Sequence, residues 1–557
     1  MSELLTAAQM RAIEAAAIAS GAVTGLELME RAGAGVVAAV LAEWPEMAQT
    51  SQRAVVLCGP GNNGGDGFVV ARLLAGRGWD VEVYLYGDAG KLPPDARVNY
   101  ERWCEEGEVR GFGPDDDGEA VQSQWRLVNS ADVVIDAVFG IGLSRAVAPL
   151  WPMVALFNGP IDDGFWCTGE VGTPKIIAVD MVTGLCADSG RDFEWPIGRQ
   201  MTEFAAHLTV TFHRPKRGHY LDMGPKYCNR LRVVDIGLSG SSEESEPSYF
   251  RQNSEHIFLT ESPSKDWMAR SMLVKDGGHK FSHGHALIVS GDHGHAGAAR
   301  MAARGALRIG AGLVTLASPP GAMAENAARL DAVMLRLVAD AAGLAEVLAD
   351  ARINALCLGP GMGLDARAAG LVKVALETSR LRVMPGAAQA LAVVLDADAL
   401  TLIGQDQALF GLLNDRCVLT PHAGEFARLF PDIAAKLAAP AITGPAYSKV
   451  DATREAAARA GCVVLYKGAD TVIAAPDGRC AINAAVYERS APWLATAGSG
   501  DVLAGFITGL LARGFAPMQA AETAAWLHVE CARSFGPGLI AEDLAEELPK
   551  VFRALGV

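Results

Sequence analysis

Positive charge is scarce in this chain: 48 Lys and Arg stand against 64 Asp and Glu, for a formal net charge of −16. Nucleic acids and anionic membrane surfaces are held chiefly by cationic side chains on phosphate, so neither is an expected partner. Long apolar runs are also missing. No stretch of about 18 residues is free of charged or turn-forming residues, which excludes a helical membrane span. The opening stretch MSELLTAAQMRAIEAAAIASG places Glu3, Arg11 and Glu14 in an alanine-rich helical pattern. It lacks the cationic start and apolar centre of an export signal, and a cytoplasmic protein is expected. Cysteine pairs of the C-x-x-C kind do not occur. The ten cysteines are scattered at 58, 104, 167, 186, 228, 357, 417, 462, 480 and 531, several of them inside apolar runs such as Ala355-Leu356-Cys357-Leu358. They read as reduced, core-filling thiols, not as a disulfide frame or a zinc site.

What is present is apolar residue, in half of the 557 positions, and that length predicts at least two well-filled cores. From Ala54 to Gly237, strand-like runs alternate with helical patterns: Ala54 to Cys58, Val81 to Tyr86, Val133 to Phe139, Ile176 to Val179, Leu208 to Phe212 and Leu231 to Ile236. This rhythm predicts a parallel sheet with helices on both faces. The polar, acidic stretch SGSSEESEPSYFRQNSE then reads as a linker. A second alternation follows, through Ala286 to Val289, Leu313 to Leu316, Ala355 to Leu358, Ala392 to Leu395, Val418-Leu419, Val463 to Tyr466 and Thr471 to Ala474. Two α/β domains are expected, over 1–238 and 257–557, with residues 239–256 joining them. In such sheets ligands bind at the carboxyl ends of the strands, where this chain places its glycine and acid clusters.

CGPGNNGGDGFVVARLL, Cys58 to Leu74, contains a G-x-G-x-x-G spacing between strand and helix, the setting of a dinucleotide phosphate clamp. Its Asn62, Asn63 and Asp66 do not suit that task, because a carboxylate at close range repels phosphate. Amides and an acid suit hydroxyls or a cation. With DAVFGIGLSR (Asp136 to Arg145) and VDMVTG (Val179 to Gly184), the loop places Asn63, Asp136 and Thr183 as oxygen donors for a hard monovalent cation, and Asp180 as a candidate general base. The plain reading of each single acid is a helix cap.

Together these motifs resemble NAD(P)H-hydrate epimerases, which interconvert the R and S forms of hydrated NADH and NADPH, over essentially residues 1–238. The resemblance implies that Asn62, Asn63, Gly64, Gly65 and Asp66 hold the hydrate together with Gly140, Ile141, Gly142, Leu143, Ser144, Arg145 and Ala146. It further implies that Asp180 contacts the hydrate and moves the proton, and that Asn63, Asp136 and Thr183 bind potassium. The family usually has Ser where this chain has Thr183, whose hydroxyl still offers an oxygen. The glycines are expected to let the backbone approach a dinucleotide.

Near the other end, LATAGSGDVLAGFITGLLARG (Leu494 to Gly514) places Gly498-Ser499-Gly500 at the start of an apolar helix, where backbone N–H groups and the helix dipole favour a phosphate. Asp501 beside that phosphate suits a base that deprotonates an acceptor hydroxyl during phosphoryl transfer. With YKGADTVIAAPDG, TPHAGEFARLF, LGPGMG and VLDADAL, this segment resembles the ribokinase-like superfamily, and more closely its NAD(P)H-hydrate dehydratase branch. The kinases' N-x-x-E is here T-P-H-x-G-E. The resemblance implies that Ala298, Gly363, His422 and Asp501 contact the (6S)-hydrate. Lys467, Gly468, Ala469, Asp470 and Thr471, with Ala495, Thr496, Ala497, Gly498, Ser499 and Gly500, would hold ADP, with ATP as the alternative donor. Magnesium is expected from phosphoryl-transfer chemistry, through Glu425 and water. Five histidines crowd one stretch, at 279, 283, 285, 293 and 295; a metal site there is the sharper reading and a loop flanking the substrate the plainer one.

The sequence thus points to a Rossmann-like α/β/α domain joined to a ribokinase-like α/β/α domain, repairing NADHX and NADPHX. Two rivals stand beside it: a vitamin or sugar kinase fused to a nucleotide-binding module, and a non-catalytic nucleotide sensor in the first half. Residues 159–174 read as an insertion without a functional account, and a homo-oligomer is left open.

Overall fold

The computed structural model describes residues 2–112, 130–146, 174–193, 205–238, 256–262, 272–275, 277–382 and 390–557. Residues 159–173 of the insertion and 239–255 of the linker lie outside them. The chain forms two compact units. One comprises Ser2–Glu243 with Ala439–Ser448, the other Glu244–Ala438 with Lys449–Val557.

The first unit is built on strands β1 (Arg53–Cys58), β2 (Asp80–Tyr86), β3 (Val109–Phe112), β4 (Val133–Ala137), β5 (Lys175–Val179), β6 (Leu208–Phe212) and β7 (Leu231–Val234). They form one sheet in the order β3-β2-β1-β4-β5-β6-β7, every pair parallel. In β4 and β6 all five residues are buried, as strands covered on both faces must be. Order reverses between β1 and β4, the place where ligands bind in open sheets of this kind. The alanine-rich pattern at the start becomes a helix, Ala7–Ala19, stopped at its N-terminus by a reciprocal Thr6–Gln9 capping box.

The second unit contains β8 (Ile257–Leu259), β9 (His285–Val289), β10 (Leu313–Ser318), β11 (Met334–Leu337), β12 (Ile353–Leu358), β13 (Ala392–Leu395), β14 (Cys417–Leu419), β15 (Val463–Tyr466), β16 (Asp470–Ala474) and β17 (Cys480–Ala484). Their order is β8-β17-β16-β15-β14-β13-β12-β9-β10-β11, with the reversal between β9 and β12. Strand β16 runs antiparallel to both of its neighbours. The cause is local. Only a few residues around Gly468 join β15 to β16, and Pro476-Asp477-Gly478 joins β16 to β17; such short turns make hairpins, whereas a parallel return needs a long crossover. The apolar helix Ser499–Ala512 lies in the core, with Val502 to Ala512 all buried. The nine described cysteines are all free and, except for Cys104, buried.

Candidate active sites

In the first unit, the loop after β1 closes against the loop after β4. A Cβ on Gly59 would stand 1.7 Å from the Val138 carbonyl oxygen, and one on Gly64 2.0 Å from the Gly59 oxygen. Gly59 and Gly64 therefore allow the close packing of the strand end, the turn and the start of the following helix. Gly61, with nothing within 4 Å, faces open space. Asn63 stands in the first turn of the helix Asn62–Ala75; with its amide turned so that both bonds form, the nitrogen donates to the Val179 carbonyl and the oxygen accepts from the Gly140 N–H, both at 3.2 Å, which ties this turn to the start of Gly140–Ala146.

Asp136, at the end of β4, is buried. Its carboxylate accepts from the Thr183 hydroxyl (2.7 Å), the Thr183 N–H (2.9 Å) and the Val138 N–H (3.3 Å). Burial pushes it up to about 6 against those hydrogen bonds. The structure thus brings Asp136 and Thr183 into direct contact.

Asp180 follows β5 with φ +65°, a left-handed backbone that costs a non-glycine residue energy and persists where the surroundings enforce it. Here they do. Its carboxylate accepts from the Lys216 ammonium and the Thr211 hydroxyl, each at 2.7 Å. Its carbonyl accepts from His219 Nε2 (2.8 Å), while His219 Nδ1 accepts the Lys216 N–H (2.9 Å) and so carries no proton. Burial, aided by Lys216, holds His219 down to about 4, and the ring is neutral. Burial also opposes the charge on Asp180, but the Lys216 ammonium with the Lys216 and Thr211 hydrogen bonds outweighs it and keeps this carboxyl below its usual range. Asp66 goes the other way: burial first, then the charges of Asp180 and Glu14, raise it well above the usual range. Lys216, Thr211, His219 and Glu14 escaped the sequence reading. Lys216 is fully buried, and its position in Arg214-Pro215-Lys216-Arg217, after a strand end, looks like surface charge.

In the second unit the polar groups again converge at strand ends. Lys467, after β15, donates to Asp396 at the end of β13 (2.8 Å) and lies 3.8 Å from Glu425. Asp396, 2 % exposed, also accepts from the Thr420 hydroxyl at 2.8 Å. The next residue, Ala397, sits at φ +45°, a second strained backbone beside an acid. Asp398 accepts the Gly363 N–H (2.8 Å), which fixes the loop after β12. A Cβ on Gly361 would lie 2.4 Å from the His295 oxygen and 3.7 Å from the Ala298 methyl, so this loop and the start of the helix Gly297–Arg308 meet at the order reversal. The T-P-H-x-G-E motif is a reciprocal helix cap: His422 Nδ1 accepts the Gly424 N–H (3.0 Å) and Glu425 accepts the His422 N–H (2.8 Å). That cap leaves His422 exposed and Glu425 buried.

Asp501 lies in the first turn of the helix Ser499–Ala512, whose N-cap, Gly498 at φ +90°, supplies no side-chain acceptor. The N–H groups of that turn are the donors a helix leaves for an anion. Burial, then the nearby Asp396 charge, raises Asp501 to about 7, with Lys467 opposing. A Cβ on Gly500 would lie 3.4 Å from Lys467 Nζ, so Gly500, Lys467 and Asp396 adjoin. Asp470 is turned to Lys449 (2.6 Å), and Thr471 bonds Gly468 across its own turn (2.7 Å). The histidine-rich stretch forms no metal cluster: among the described residues no group of three His, Cys, Asp or Glu can hold an ion. His285 is buried against the Thr315 hydroxyl (2.8 Å) and His293 is exposed beside Glu325.

Two family signatures divide the chain as its two sheets do. Residues 25–218 match the YjeF-related protein N-terminus and residues 286–550 match NAD(P)H-hydrate dehydratase. The bifunctional NAD(P)H-hydrate repair enzyme Nnr of Moorella thermoacetica is 34% identical over 566 residues, which covers 99% of this chain and 97% of that protein. This chain belongs to the bifunctional NAD(P)H-hydrate repair enzyme family. The Nnr enzyme of Coxiella burnetii is 33% identical over 549 residues, 97% of each chain, and the NAD(P)H-hydrate epimerase of Rhodobacter capsulatus 44% over 242 residues, covering 43% of this chain and 97% of its own length. Among solved structures, the ADP/ATP-dependent NAD(P)H-hydrate dehydratase of Bacillus subtilis, co-crystallized with ATP/Mg2+, is 27% identical, covering 51% of this chain and 95% of that chain with a TM-score of 0.40. A vitamin or sugar kinase is not favoured by these relatives.

Proposed function

We propose that this protein repairs hydrated NADH and NADPH, the first unit epimerising the R form to the S form and the second dehydrating the S form with ADP. Full-length kinship to bifunctional repair enzymes carries this reading, and the unlike carboxyls Asp180 and Asp66 in the first unit and the raised Asp501 in the second give it chemistry.

Epimerisation must take a proton from the hydrate and return one. Asp180, whose charge Lys216 and Thr211 favour, is the base, and Asp66, whose hold on its proton burial and neighbouring charge strengthen, is the acid; environments that push two carboxyls apart assign such roles. Asn62 to Gly65 and Gly140 to Ala146 line the hydrate. Potassium fits beside Asp136, whose buried carboxylate has hydrogen bonds but no cation partner among the described residues, with Thr183 and Asn63 as further oxygen donors. It would supply positive charge there.

In the second unit Asp501 takes the proton from the C6 hydroxyl while that oxygen accepts the β-phosphoryl group of ADP, releasing AMP. Phosphate, a far better leaving group than hydroxide, then departs, a proton is lost from C5, and the ring double bond is restored. The donor-rich turn Ala495–Gly500 and Lys467 to Thr471 hold the nucleotide, while Ala298, Gly363 and His422 contact the hydrate. Magnesium would rest on nucleotide phosphates and water near Glu425, supplying charge to the transferring phosphoryl group; among the described residues no three His, Cys, Asp or Glu groups cage a metal. The test is recovery of dihydronicotinamide absorbance from mixed R and S hydrates with magnesium, potassium and ADP, ATP or neither. No recovery with either nucleotide overturns the proposal.

A further inference from the structure

Ala439–Ser448 lies within the stretch that matches the dehydratase family, between the helices Pro431–Ala438 and Lys449–Ala460, yet it belongs to the compact unit formed by Ser2–Glu243. Its contacts are specific. The Gly444 N–H donates to the Ser144 carbonyl at 2.8 Å, and Thr443 forms an antiparallel bridge with Arg145, both within the loop Gly140–Ala146. The guanidinium of Arg191 donates to the Tyr447 carbonyl (3.2 Å) and to the Ala439 carbonyl, gripping the segment at both ends. The Ala446 N–H points at Cys186 Sγ (3.4 Å). Ala441 and Ala446 are buried with Cys186 and Phe193 in a small apolar cluster on which Leu143 and Ala146 pack. Close fit is also built in: a Cβ on Gly444 would stand 3.0 Å from the Phe193 ring and 3.2 Å from the Ser144 Cα.

We infer that Ala439–Ser448 is a positioning strap of the epimerase site, holding in register the hydrate-binding loop Gly140–Ala146 and the turn Gly184–Phe193 that follows the cation donor Thr183. This rests on the assignment of Gly140–Ala146 to the hydrate. Backbone bonds to an irregular loop fix its conformation at little side-chain entropy cost, and a loop fixed before the ligand arrives binds it more tightly. Asp180 and Asp66 are held by other elements, so the strap acts on hydrate affinity and leaves proton transfer alone. Of the Rhodobacter capsulatus NAD(P)H-hydrate epimerase, 97% of the length is matched by 43% of this chain, which leaves it no room for a dehydratase region; here the loop is braced by a segment of one.

The experiment uses the full-length chain in two variants, Gly444→Val and a strap with residues 440–446 replaced by Gly and Ser at equal length. Epimerisation of (R)-hydrate is measured by kcat and KM, and dehydration of pure (S)-hydrate serves as the measure of folding of the rest. The expected result is a KM for epimerisation raised about tenfold, with kcat within about twofold and dehydration unchanged. Unchanged KM in Gly444→Val overturns the inference, including where the replaced strap lowers both activities. A wild-type chain that dehydrates but does not epimerise overturns the functional reading of the first unit instead.

Discussion

Lys216 is the side chain on which the proposed role of Asp180 most depends. It is fully buried and donates to Asp180 at 2.7 Å, and removing one partner of such a pair leaves the other charge uncompensated. In Lys216→Met the acidic limb of the pH–rate profile for epimerisation should move up by about one pH unit or more, because Asp180 then needs a higher pH to ionise. A steady-state profile from about pH 4 to 9 checks this, and an unmoved limb with a lower plateau would assign Lys216 a purely structural part. Asp501 behaves in the opposite sense. It is raised to about 7, so dehydration should rise with pH through about 7 as the base loses its proton. Asp501→Asn should cost about 10²–10⁴ in dehydration while epimerisation continues. Asp136, raised to about 6 from an ordinary value of 3.8, binds its proton more tightly folded than unfolded. Its contribution to stability is thus full below the ordinary value and lost as pH rises through about 6, by about 3 kcal/mol. Thermal melts between about pH 3.5 and 7 should show that fall. Potassium chloride, but not lithium chloride at equal ionic strength, should reduce it.

Elements explain why strained residues sit beside acids in both units. Strands deliver Asp180 and Asp396 to their carboxyl ends, and the chain must then turn sharply, at Asp180 itself and at Ala397. Gly359 makes the second turn possible: at φ +122° its Cβ position lies 1.7 Å from the Asp396 carbonyl oxygen. Gly359→Ala should therefore displace Asp396 and with it Lys467, lowering dehydration more than tenfold and the melting temperature of that unit by several degrees. Calorimetry with assays of both activities checks this, and an intact dehydration rate would refute the coupling. Two of the strands missed in the sequence share a trait. Val109–Phe112 and Met334–Leu337 are edge strands with exposed positions, so they lack the continuous apolar run of a covered parallel strand. Cys480–Ala484 is buried, but its small residues and Asn483 hide it.

At the scale of the whole molecule, the two chemistries are expected to be separable by substitution though they share one chain. With mixed hydrates and ADP, Asp180→Asn should recover the S half at the normal rate and the R half only as fast as it epimerises spontaneously. Asp501→Asn should recover neither. Biphasic against absent recovery in one absorbance trace distinguishes them, and fast full recovery by Asp180→Asn would remove Asp180 from the mechanism.

Sequence by itself determined the two α/β units, the loops proposed to carry the chemistry, and Asp180 and Asp501 as the acids to test, because hydrophobic period and glycine-acid clusters at strand ends are local patterns. Only the tertiary structure decided what those acids are. Lys216 reaches Asp180 from 36 residues away and Lys467 reaches Asp396 from 71. The strap reaches Ser144 from farther still. A carboxyl's charge follows from what folding buries beside it, and that depends on long-range packing no local pattern records.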